Sequence, residues 1–244
     1  MNKKFISEFQ EILQKNSNDK TRLWWENYLK NEIKFRGVGI PDIRSLLRDW
    51  YAKNRINTCS LDQQFDLALQ FFKEPYTEDK LTGVLILQLF LIDKIDYNTA
   101  LTQFVSLYQE GYIFEWNTCD WFCVCVLGPM IDLYGTPCAE KIAAWCNAAN
   151  VWQARSSIVP FVYLKDKSAY LDLIQKTNKV LIRRQERFAK TAVGWILREL
   201  YKSHSDFVFT FINSNLSYFS VESLSNTLKY APEKTQYVDQ LKSL

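Results

Sequence analysis

Glycine is scarce in this chain: seven among 244 residues, none of them in an Asn-Gly, Asp-Gly or Gly-Gly pair. Proteins average ~7 % Gly. Tight hairpin turns need positions with φ > 0, which Gly supplies at least cost, so a sheet of hairpins has little here to turn on. That leaves helices. Helix punctuation recurs every ~15–20 residues, within the normal range of helix lengths.

The expected helices follow from apolar spacing and caps. Asn2 to Lys15 carries Phe5, Ile6, Phe9, Ile12 and Leu13 on one stripe, and Thr21 to Asn31 carries Leu23, Trp24, Tyr28 and Leu29. Pro41 opens a helix with Ile43, Leu46, Leu47 and Trp50. Ser60-x-x-Gln63 reads as a capping box before Phe65, Leu69 and Phe72, and Pro75 stops that helix. Thr77 starts an apolar helix to Ile92, and Asp96 caps one to Tyr108. Further helices are expected over Thr118–Tyr134, from Thr136-Pro137 to Trp145, over Val151–Leu164 with a bend at Pro160, and over Ser168–Lys176. A long one spans Val180–Lys202, Ser205–Ile212 is short, and Ser220 caps the last clear one. About thirteen helices with short connections predict antiparallel pairs in a curved, HEAT-like α-solenoid; the alternative is a compact irregular bundle. No linker divides the chain, so residues 1–244 are expected to form one domain.

Several function classes lack their residues. The N-terminal M-N-K-K-F-I-S-E-F-Q-E-I has no continuous apolar core of a signal peptide, and the longest apolar run, Val84 to Ile92, is broken by Gln88. Six Cys without secretory features predict reduced thiols in a cytoplasmic protein, nucleoid-associated if the source is bacterial. Cys119 and Cys123 share a helix face, but the sole His, His204, lies in no ligand pattern, so buried thiols are expected and no metal or cofactor. No Gly-rich phosphate motif occurs. Arg36 to Arg44, R-G-V-G-I-P-D-I-R, reads either as a backbone phosphate site at a helix N-terminus or as a plain loop.

Charge and aromatics carry more. Residues 165–202 hold ten Lys/Arg against Asp166, Asp172, Glu186 and Glu199, giving +6 there and −3 over the rest of a +3 chain. Such a stripe is either a polyanion-binding face or an ordinary solvated one. In E-W-N-T-C-D-W-F, Glu115 to Phe122, Trp116 and Asp120 share a helix face. Core packing explains the Trp, and capping or a first-turn carboxylate explains Asp120, as readily as chemistry does.

At these segments the chain resembles the AlkD-like DNA alkylation repair glycosylases. W-N-T-C-D resembles the family's W-x-x-x-D motif, N-V-W-Q-A-R-S-S-I-V its N-x-W-x-x-R-x-x-I segment, and F-A-K-T-A-V-G-W-I-L-R-E its K-A-x-G-W-x-L-R-E helix. Y-L-K-N-E-I-K-F-R-G-V-G-I-P-D-I-R-S-L resembles the family's N-terminal stretch, and the segments keep the family's order from about Trp25 to Lys229. The resemblance implies a HEAT-like solenoid that binds duplex DNA, as a monomer without cofactor, and hydrolyses the N-glycosidic bond of cationic alkylpurines such as 3-methyladenine and 7-methylguanine. It implies that Asp120 is the catalytic carboxylate, that Trp116 and Trp195 are aromatics at the lesion, and that Tyr28 and Arg155 contact DNA. The stripe residues Lys179, Arg183, Arg184, Arg187 and Lys190 are then expected on the DNA-facing side. After Asp120 the chain departs from the family with W-F-C-V-C-V-L-G-P-M, and Trp121 is expected in the core. Two rival functions are a catalytically silent helical protein for damaged or branched DNA and a protein-binding helical scaffold.

Overall fold

A computed structural model describes residues 2–244. The chain is all-helical, with 74 % of it in helix. Among the described residues there is no strand, only an isolated parallel bridge between Lys34 and Tyr76. The helices fall into two compact units, the first running to Val126 and the second from Leu127 to Leu244.

The first unit comprises α1 (Asn2–Lys15), α2 (Asp19–Tyr28), α3 (Ile40–Lys53), α4 (Leu61–Phe72), α5 (Thr77–Ile86), α6 (Tyr97–Gln109) and α7 (Trp116–Phe122). The α1 stripe buries Ile6, Phe9 and Leu13, and the Phe9 ring lies 4.9 Å from Trp50 of α3 and 6.1 Å from Phe71 of α4. Ser60 and Gln63 form the expected capping box, and Asp96 caps α6. All ten residues of α5 are buried, so it is the unit's central helix.

Its first turn, Thr77-Glu78-Asp79-Lys80, is polar all the same, and each charge is met from within the chain. Asp79 takes a two-pronged ion pair from Arg36, at 2.9 and 3.0 Å. Lys80 donates to the carbonyls of Phe72 and Tyr112, at 2.5 and 2.9 Å. Burial pushes the Lys80 amine down to about 8, against the pull of Glu115, Asp79 and Glu74. α5 continues through a π-helical turn, Leu87–Leu91, and α7 through another, Cys123–Leu127.

The second unit comprises α8 (Gly128–Tyr134), α9 (Thr136–Ala143), α10 (Val151–Arg155), α11 (Leu171–Leu181), α12 (Arg187–Tyr201), α13 (Ser205–Asn215), α14 (Val221–Thr227) and α15 (Lys234–Lys242). α12 is its amphipathic centre and packs on α14 at close range. A Cβ added to Gly194 would lie 2.7 Å from the Ser223 carbonyl oxygen. Gly194→Ala is therefore expected to lose ~1–3 kcal/mol to overpacking, more than the ~0.4–1 kcal/mol that restricting the unfolded chain returns. A lowered urea midpoint checks this.

Some expected boundaries shift, for local reasons. α2 ends at Tyr28, because Lys30 and Asn31 take left-handed φ of 53° and 58°. The position before α9 is Gly135 at φ 67°, and Thr136 is already inside the helix, so it is not the cap. Val151–Leu164 is not one bent helix but the short α10 followed by a 3-10 turn, Val159–Tyr163, that Pro160 opens. The long helix expected over Val180–Lys202 is two helices with a break after Ile182. There Arg184 turns back, donating to Glu186 at 2.6 Å and to the Ala148 carbonyl at 2.6 Å, which holds the chain in the turn.

Candidate active site and nucleic-acid-facing residues

α7 begins with a cap that the sequence reading did not assign. Glu115 is fully buried in extended backbone, and its carboxylate accepts from the main-chain N–H groups of Asn117 and Thr118 at 2.5 and 2.7 Å. Burial pushes its carboxyl up, opposed by those hydrogen bonds. Glu is not among the preferred N-cap residues, so composition carried no signal for it. Asp120 is thus neither the cap nor in the first turn. It sits one turn further along, half-buried like Trp116, and the i, i+4 spacing aligns the pair on one face. Glu115 fixes the start of the helix that carries both.

Trp116 meets a set of aromatic rings from α2. Tyr28 is 57 % exposed and stands edge-on to Trp116, with ring centres 5.7 Å apart at 84°. Trp24, equally exposed, stacks on Tyr28 at 5.1 Å and 16°. Beneath them Trp25 stacks on Phe35 at 5.7 Å and 13°, and Trp25 and Trp116 both pack over Leu29, Ile33 and Phe35. The sequence places Trp24 only on the apolar stripe of α2. It is exposed on a helix none of whose residues is buried.

Trp121 is half-buried, not a core residue. It helps line a half-open cavity of about 590 Å³ whose walls also include Trp25, Phe35, Arg44, Asn117 and Leu81.

The R-G-V-G loop does gather main-chain N–H groups around an anion, but the anion belongs to the chain. Glu78 of α5 accepts from Arg36, Gly37 and Val38 at 2.9, 2.7 and 3.2 Å. Gly37 is required there: its φ is 86°, and a Cβ would lie 2.1 Å from the Asn18 carbonyl oxygen. The loop is therefore no vacant phosphate site.

In the second unit, Asn150 caps α10 by accepting from the N–H groups of Trp152 and Gln153. Arg155, at the end of α10, is 5 % exposed, and its Nη1 donates to the Phe188 carbonyl at 2.8 Å and to Thr191 Oγ1 at 3.3 Å, tying α10 to α12. Trp195, two turns further along α12 than Phe188, is half-buried with its ring 6.0 Å from the exposed Tyr163, edge to face at 81°. Its buried indole N–H has no hydrogen-bond partner among the described residues.

The basic stripe is less uniform than the count of charges implies. Lys179 and Arg183 are exposed, and Arg183 lies over the Tyr218 ring at 5.1 Å. Arg184 is committed to the turn described above. Arg187 makes a two-pronged pair with Glu222 at 2.6 and 2.7 Å, which also lowers the Glu222 carboxyl, and Lys190 donates to the Tyr218 carbonyl at 2.6 Å. Glu222 lies outside the 165–202 window, so the sequence count missed that neutralisation.

The thiols of Cys119, Cys123, Cys125, Cys138 and Cys146 are all buried, and burial pushes Cys125 up to about 11 and Cys138 to about 12. His204 precedes α13 and lies 3.0 Å from the Ser168 hydroxyl.

Residues 9–234 match the family described as DNA alkylation repair enzyme. The chain belongs to that family. Among solved structures, the DNA alkylation repair fold is seen in a predicted DNA alkylation repair enzyme from Enterococcus faecalis, 18 % identical. That match covers 89 % of this chain and 98 % of the other, with a TM-score of 0.77. No curated protein matches significantly. As a DNA alkylation repair family member the chain carries the all-helical, α-solenoid fold expected from its helix count.

Proposed function

We propose that this family member is a monofunctional DNA glycosylase that releases cationic alkylated purines, 3-methyladenine and 7-methylguanine, from duplex DNA. The observation that carries the reading is the Trp116–Asp120 pair on one face of α7, with the edge of Tyr28 against the Trp116 indole. Alkylation at N3 or N7 gives the purine a positive charge and makes it a good leaving group. The task left to the protein is to stabilise positive charge on the sugar as the bond breaks and to place a water.

In this mechanism the Asp120 carboxylate faces the developing oxocarbenium ion and orients the water that attacks it. Trp116 offers its π face to the cationic base, a preference over neutral purines of ~0.5–2 kcal/mol, and Trp195 is assigned the same role. No acid is needed to protonate the leaving group, which suits a chain with a single His. Arg155 acts through its neighbours as much as by charge, since its guanidinium also holds α10 to α12. Of Lys179, Arg183, Arg184, Arg187 and Lys190, Lys179 and Arg183 are exposed and make no ion pair or hydrogen bond among the described residues. Arg184, Arg187 and Lys190 each have an internal partner to give up.

Release of free 7-methylguanine from methylated duplex DNA, followed by chromatography, tests the reading. A chain that binds duplex DNA but releases no base at any enzyme excess is a silent DNA-binding protein. A chain with no salt-dependent duplex affinity is a scaffold of another kind. Each lost phosphate contact lowers the slope of log affinity against log salt by ~0.9. Lys179→Ala/Arg183→Ala is accordingly expected to reduce that slope by about 2; a slope equal to wild type places the DNA-facing side elsewhere.

A further inference from the structure

Position 24 lies on the solvent side of α2, where burial has no use for an indole. No residue of that helix is buried, and Leu23, Trp24 and Tyr28 are 51, 57 and 57 % exposed. Trp is a poorer helix former than Leu, Lys or Glu, and apolar surface left in water contributes nothing to the hydrophobic gain of folding. The packing of the first unit therefore does not account for Trp24. Its contacts do.

Among the described residues the Trp24 ring meets two others. Trp25 stands edge to face at 4.9 Å and 87°, and Tyr28 lies parallel at 5.1 Å and 16°. Positions 24 and 28 are i, i+4, so the stack is built within one turn of helix. Tyr28 is the last residue of α2. The chain leaves the helix at once, with Leu29 as its cap and Lys30 and Asn31 in left-handed backbone, so no further turn of α2 packs beside the phenol. Trp25 and Trp116 meet the Tyr28 ring steeply inclined, at 5.9 Å and 73° and at 5.7 Å and 84°. Trp24 alone among these three lies flat against it. A ring with a plane laid on its face cannot turn without losing that contact, so the stack selects one orientation of an otherwise exposed side chain.

We propose that Trp24 is a positioning residue for base release. By stacking on Tyr28 it fixes the ring that stands edge-on to Trp116, and so steadies the aromatic side of the Trp116–Asp120 pair. It acts through Tyr28 and does not itself touch the leaving base. This role rests on the glycosylase reading above, and it adds to that reading a residue outside the segments that carry the family resemblance.

Single-turnover release of 7-methylguanine from methylated duplex DNA tests the role in the full chain. The variants are Trp24→Leu, Trp24→Phe, Tyr28→Leu and Trp24→Leu/Tyr28→Leu, and affinity for unmethylated duplex is measured beside each. Trp24→Leu is expected to slow release about three- to tenfold at saturating enzyme, the scale of one aromatic pair. Duplex affinity should stay within about twofold of wild type, because the interaction lost serves the reaction and not binding. Trp24→Phe, which restores a plane, should recover most of the rate. In the Tyr28→Leu background Trp24→Leu has nothing left to hold, and the rate should change by less than about twofold. A second readout needs no catalysis. Fluorotyrosine placed at position 28 gives a fluorine NMR line displaced by the ring current of the indole on its face, and Trp24→Leu should move that line toward the free amino acid.

Losses that multiply in the double variant overturn the proposal, because Trp24 then acts by a route of its own. A fall in duplex affinity equal to the fall in rate overturns it too, as does a fluorine line that Trp24→Leu leaves in place. If the wild-type chain releases no base, the glycosylase reading falls and this role with it. If wild type releases base and Trp24→Leu releases it equally fast, the role alone falls.

Discussion

Asp120→Asn is expected to lower 7-methylguanine release by at least about a hundredfold, the scale on which one preorganised electrostatic group acts. Asn keeps the volume and a hydrogen-bonding oxygen and removes the charge, so the substitution isolates what the mechanism asks of this side chain. The α7 cap does not depend on it, because Glu115 and the N–H groups of Asn117 and Thr118 close the helix start on their own. The thermal midpoint and the affinity for unmethylated duplex should stay near wild type. Those two readouts separate a lost charge from a disturbed helix. Release at the wild-type rate would remove Asp120 from the mechanism, and parallel loss of release and duplex affinity would make it a binding residue.

Asp79→Ala has the largest expected effect on stability, a loss of ~3–5 kcal/mol. The pair it breaks is 6 % exposed on the Arg36 side and 0 % on the Asp79 side. Gln10 also donates to Asp79, at 3.2 Å, and the Arg36 guanidinium lies 3.9 Å over the Tyr76 ring. Removing the carboxylate leaves the buried guanidinium without its ion-pair partner. The sign is set by that stranded charge and not by the worth of the pair. Replacing both partners with apolar residues, Arg36→Met/Asp79→Leu, is accordingly expected to recover most of the loss. Chemical denaturation followed by the exposure of Trp50, buried in the same unit, reads the effect. A double variant no better than Asp79→Ala would mean that the pair contributes directly.

Helices were legible in the sequence wherever one local rule decided them. The α1 stripe, the Ser60 capping box and the Ser220 and Asp96 caps depend on residues within four positions of one another. What failed depended on distant partners. Nothing near Arg184 announces that its guanidinium reaches back to Ala148, yet that contact splits the expected long helix. The basic stripe looked uniform because its neutralising partner Glu222 comes 35 residues after Arg187. The alignment of Trp116 with Asp120 follows from helical spacing alone. The ring of Tyr28 against Trp116 was not readable from spacing, since it joins helices 88 positions apart. Trp121 matches no residue of the family motifs, which is why the sequence places it in the core. It faces a cavity because the polar walls, Arg44 and Asn117, come from elements that no local pattern links.

The Arg36–Val38 loop has a consequence for competition between anions. Glu78 is tethered to a fully buried helix, so it presents its carboxylate to the three N–H groups at an effective concentration that a free or DNA-borne phosphate must exceed. The loop is a lock already holding its key. What it supplies is rigidity: the turn leading from Phe35 into α3 is set before any nucleic acid arrives, and so is the ring of Phe35 on which Trp25 stacks. An aromatic surface that is already in place loses little conformational entropy when a strand settles on it.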